Sequence, residues 1–138
     1  MNRPQTLRED PAPLAIAALS ALLLLDGAMF ATMLAGVAPH PPGDRGPFIA
    51  ATAALALGSL VLLTTPSHRR SAPWLALLTA LAFVPAVGPQ KFWTEPAARD
   101  LAPVIVIGSL CVLTLAVAAV RMLRAAPAAS SAEVVARQ

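Results

Sequence analysis

The stretch Leu14–Ala38, LAIAALSALLLLDGAMFATMLAGVA, is 25 residues of nearly unbroken apolar side chains with a single charge, Asp26, at its middle. At 1.5 Å of rise per residue, a helix over this run would be about 37 Å long, enough to cross a hydrocarbon core of about 30 Å with some tilt. Three further apolar runs follow, at 47–65, 72–93 and 101–123. The expected fold is an all-α membrane protein of four transmembrane helices, spanning about 14–38, 47–65, 72–93 and 101–123. A cytoplasmic segment 1–13 precedes this domain (14–124), and an Ala/Ser-rich tail, 125–138, is expected to be disordered.

Composition agrees. The 138 residues are 57% hydrophobic and 12% charged, with a mean hydropathy of +0.71. A water-facing domain carries roughly a quarter charged residues. The pI near 10.5 reflects ten basic residues scattered over five flanks, which form no basic face for nucleic acid. Cys111 is the only cysteine, which excludes intrachain disulfides, thiolate zinc clusters and iron–sulfur centres.

The boundaries carry their own signals. Pro47 opens the second run where a helix tolerates proline. Trp74 and Trp93 bracket the third run about 28 Å apart, as interfacial anchors would. Pro85 is expected to kink this helix or end its regular part early, and Gly88-Pro89 makes a second break. Arg121 and Arg124 close the fourth run, where their stems can snorkel to the headgroups. The first run is too long for a signal peptide, holds a carboxylate and has a proline after its best small-residue site, so it reads as an uncleaved span.

Lys and Arg set the orientation. Arg3, Arg8, Arg69, Arg70, Arg121, Arg124 and Arg137 fall on one side of the bundle; Arg45, Lys91 and Arg99 fall on the other. The positive-inside rule then places both termini in the cytoplasm of a bacterial inner membrane.

Asp26 is the most expensive residue, at about 2.5–3.5 kcal/mol for insertion at mid-membrane before it finds partners. No Lys, Arg or His stands in the middle of any run, so its partners must be hydroxyls, carbonyls, water or another subunit. Ser59, Thr79, Ser109 and Thr114 are the hydroxyls at intermediate depth. A titrating transport site and a carboxyl bonded to a neighbouring helix are the two readings of this residue, and the second is favoured. Met29, Met33 and His40 lie on or near its stripe, a set that could attract a soft cation. Methionines that fill core space and a histidine in a Pro-rich loop explain the same residues, so no metal or other cofactor is expected. Gly27, Ala31 and Ala35, with Ala50, Ala54 and Gly58, are spaced to let the first two helices pack tightly or to form a dimer seam.

A last cluster lies between the third and fourth runs. Lys91, Trp93, Glu95 and Arg99 form a candidate external patch; an interfacial turn anchoring two helices is the favoured reading. Phosphate loops, paired histidines at ligand spacing and nucleophile–base sets are all absent, so no enzyme is expected. The reading is a non-enzymatic accessory or interaction subunit of a membrane assembly. Its partners would be the lipid bilayer and other membrane subunits or a second copy. A small proton- or cation-coupled transporter built on Asp26 is the alternative.

Overall fold

The computed structural model describes residues 10–38, 41–68, 70–94 and 97–135. They form helices α1 (Ala12–Ala35), α2 (Gly46–Thr64), α3 (Ala72–Val87), α4 (Lys91–Thr94) and α5 (Ala102–Val135), with no strand among the described residues. Every long helix opens with proline at its second position: Pro13, Pro47, Pro73 and Pro103. At that point the missing N–H has no intrahelical partner to lose, and the fixed φ suits the helix.

The helix ends are chemically specified. α1 stops at Gly36, which takes a left-handed φ of 63° while its N–H donates to the Met33 carbonyl. Glycine meets that backbone at no steric cost. α2 ends at extended Thr65, ahead of Pro66. There the Thr64 and Thr65 hydroxyls donate back to the Leu60 and Val61 carbonyls at 2.9 and 2.7 Å. α3 continues through Pro85 and stops two residues later, at Val87, so its regular part does end early. Its last carbonyls are closed by side chains: the Gln90 amide donates to Val84, and Ser109 Oγ of α5 donates to Val87 at 3.0 Å.

α1, α2, α3 and α5 pack as a ring in that order, each against its two neighbours, and successive helices run antiparallel. Two ends can be distinguished. The termini end holds the start of α1 and the 65–71 connection; the loop end holds the 36–45 and 88–101 connections. The termini end is the tighter. Ala15, Ala18, Ala72, Ala76, Ala118 and Ala119 are buried there around Leu19, Leu22 and Leu115. Small side chains bring the helix axes close, where van der Waals contact replaces the hydrophobic drive that lipid does not supply.

The outside is apolar as well. Leu24 is 76% and Trp93 82% exposed, and exposed Leu, Val and Phe side chains occur on all four long helices. Each of four segments, Ala12–Ala35, Gly43–Thr64, Ala72–Thr94 and Ala102–Ala125, is long and apolar enough to cross a membrane. The expected all-α, four-span fold is the one observed, with boundaries shifted by at most four residues. The third span is completed by the short α4.

Two expectations change. The tail from Ala125 continues α5 as helix to Val135, where irregular chain was expected. Alanine costs least of all residues in a helix, and this segment is rich in it. The two small-residue stripes do not join α1 to α2. Gly27, Ala31, Ala35, Ala50 and Ala54 are exposed, and Gly58 meets Leu75 of α3 instead. The buried face of α1 runs through Ala15, Leu19, Leu22 and Asp26. Gly27 is therefore turned about 100° away from it.

Candidate functional site: a buried carboxyl and a loop-end cavity

Asp26 lies nine residues short of the end of α1, and Thr52 lies six residues into antiparallel α2, so both stand at one depth. Thr52 Oγ1 and Asp26 Oδ2 are 2.9 Å apart, with the two residues only 1% and 2% exposed. The threonine hydroxyl has one proton and three oxygens in reach. These are Asp26 Oδ2, the Ile49 carbonyl at 2.9 Å and the Phe48 carbonyl at 3.2 Å. Either Thr52 donates to the carboxylate, or a neutral carboxyl donates to Thr52 and the hydroxyl donates back to its own helix. The second arrangement places both the carboxyl proton and the hydroxyl proton in a hydrogen bond. Asp26 Oδ1 is buried and has no partner among the described residues.

Ser59, seven residues beyond Thr52, stands on the same face of α2 about 10 Å along the helix. It does not reach Asp26. Its hydroxyl pairs with Thr79 of α3 at 2.8 Å, and Thr79 has the Leu75 carbonyl at 2.8 Å and the Leu55 carbonyl of α2 at 3.2 Å. α2 thus carries two polar fasteners, one to α1 and one to α3. Of the other hydroxyls expected near the acid, Ser109 closes α3 and Thr114 is exposed.

The stripe of possible cation ligands is not assembled around one point. Asp26 faces α2, Met29 lines a cavity on another side of α1, and Met33 packs over Gly46. His40 lies outside the described residues. Among those described, no group of three or more His, Cys, Asp or Glu is placed to hold a metal.

The cavity, about 590 Å³, lies at the loop end between α1, the end of α3 and α5. Leu25, Met29, Val104 and Ile105 form its apolar wall, and the connections contribute Arg45 and Lys91. Lys91 turns to the cavity, Trp93 and Arg99 are exposed, and Glu95 lies outside the described residues.

Sequence reading missed Thr52 and Arg45. Matching depth along antiparallel helices would have found Thr52. Arg45 was used only as a topology signal, and nothing in the one-dimensional pattern pairs it with Lys91. Compared with known protein families, characterised proteins and solved structures, the chain matches none.

Proposed function

We propose that this chain is a small multi-pass membrane protein that works without catalysis, as an accessory or interaction subunit of a larger assembly. The bacterial inner membrane, with both termini cytoplasmic, is the location that fits its charge distribution. One observation carries the reading. Asp26, the acid in the middle of a span, is tied to Thr52 of the neighbouring helix and is absent from the cavity lining. A carboxyl used this way holds α1 to α2 and leaves the lipid-facing surface for association. The exposed stripe Gly27, Ala31 and Ala35 is small enough for another helix to approach closely.

Affinity purification in mild detergent tests this. A stoichiometric membrane partner, or second copy, that survives Asp26→Asn and is lost on Ala31→Trp supports the reading. A chain that purifies alone as a monomer contradicts it.

The unpartnered Oδ1 of Asp26 favours a second reading, a proton- or cation-coupled carrier. Intramembrane acids commonly mark ion pathways, and a free oxygen is what a transported ion would meet. Such a carrier requires Asp26 to titrate during turnover, so Asp26→Asn would abolish activity while leaving the fold intact.

A further inference from the structure

The polar atoms at the α1–α2 seam decide which ion Asp26 can hold. Thr52 Oγ1 has Asp26 Oδ2 and the Ile49 carbonyl each at 2.9 Å and the Phe48 carbonyl at 3.2 Å. Those oxygens surround a hydroxyl rather than an empty centre. The other carboxyl oxygen, Asp26 Oδ1, is buried with no polar partner among the described residues. Hard cations give up their water only to a shell of about six oxygens. A proton needs only an oxygen that carries it and a second oxygen that accepts its hydrogen bond. The seam supplies the pair and not the shell.

No positive charge stands at this depth among the described residues. α1 packs against α2 and α5. Asp26 is the only titratable residue of α1, and α2 has none. Arg45, the nearer of the two charged residues that precede α2, is exposed and lies seven residues from Thr52, about 10 Å along the axis. On α5, Cys111 stands nine residues from the loop-end start of the helix, as Asp26 stands nine from the end of α1. A thiol at that depth supplies no cation. Arg121 and Arg124 belong to the termini end of α5.

We propose that Asp26 and Thr52 form a reversible one-proton site, so that the ion bound at Asp26 is a proton and not a metal cation. The inference rests on the carrier reading for its use and names that carrier's ion. In the acid form the carboxyl O–H on Oδ2 donates to Thr52 Oγ1, whose own proton goes to the Ile49 or Phe48 carbonyl. On release the carboxyl O–H bond breaks, its electron pair stays on Oδ2 and water takes the proton. The Thr52 hydroxyl then turns to donate to Oδ2. Thr52 is a positioning residue that keeps one hydrogen bond to Asp26 in both states. Asp26 is only 2% exposed, so exchange waits for local opening of the seam.

Infrared difference spectra of the full chain in dodecyl maltoside, recorded through a pH titration, test this. A carboxylic C=O stretch should grow as pH falls, shift in D2O and be absent from Asp26→Asn. Replacing N-methylglucamine with sodium or potassium in the buffer should leave its titration in place. Thr52→Val should move the stretch to higher frequency, toward that of an unbonded acid, and Thr52→Ser should restore it. Circular dichroism establishes that each variant is folded; if the valine variant is not, the salt and D2O comparisons on the native chain decide alone. The proposal is overturned by a titration that sodium or potassium displaces, by a stretch that does not shift in D2O, or by no Asp26-dependent stretch at any pH at which the chain is folded. Complementation separates this claim from the carrier reading. An Asp26→Asn chain with full activity refutes the carrier, whereas the salt comparison alone settles the ion.

Discussion

Replacing Thr52 with valine should destabilise the bundle more than replacing the acid that it serves. Thr52→Val removes the one hydrogen-bond partner that Asp26 has among the described residues and leaves both carboxyl oxygens buried and unpaired, at a cost of about 1–3 kcal/mol. Asp26→Leu strands nothing, because the Thr52 hydroxyl can fall back on the Ile49 and Phe48 carbonyls of its own helix. Its cost is limited to one interhelical hydrogen bond in lipid, about 0.6–2 kcal/mol. Thr52→Val made on top of Asp26→Leu should then cost almost nothing, so the coupling for the pair equals the cost of Thr52→Val alone, about 1–3 kcal/mol. Unfolding in mixed dodecyl maltoside and SDS micelles, followed by circular dichroism, measures all four corners of the cycle. If Thr52→Val costs the same with Asp26 or Leu at position 26, the two side chains do not interact and this explanation of the buried acid is wrong.

Gly108→Ala should destabilise by about 1–2 kcal/mol, because its Cβ would stand 2.5 Å from Val87 Cβ and overpacking exceeds the gain in helix propensity. Gly27→Ala meets nothing within 4 Å and should be neutral or stabilising by up to about 1 kcal/mol in the same unfolding assay. Reporter fusions at Gln138 and in the 66–72 loop should read cytoplasmic, and one near Gly43 external; an external C-terminus would refute the charge-based orientation. Depth-dependent quenching of single-Trp variants should place Trp74 and Trp93 at opposite interfaces, and two deep tryptophans would mean that the third span is drawn wrongly.

Hydropathy and length made the four spans legible, because lipid forces each crossing segment to be apolar and to satisfy its own backbone. Pro85 and Gly88-Pro89 announced the early end of α3. The same punctuation at Pro13, Pro73 and Pro103 was as informative as that at Pro47, and could have fixed every helix start. Side-chain pairing was harder. Alanine is so frequent that small-residue spacing does not by itself mark the faces packed inside the bundle, and the stripe from Gly27 lies on the outside of α1 rather than against α2. The partner of Asp26 depended on relative depth and rotation of two helices, which apolar periodicity does not encode when every face is apolar. The cavity depends on a difference in helix length across three elements and was not visible at all.

The most direct measurement compares Asp26→Asn with the native chain for its ability to reverse the phenotype of a deletion strain, at matched membrane abundance. An amide keeps a donor and an acceptor opposite Thr52 but cannot titrate. A structural carboxyl predicts full complementation by Asp26→Asn. A variant that is folded, abundant and assembled yet inactive would contradict it, and would make Asp26 the proton- or cation-carrying group.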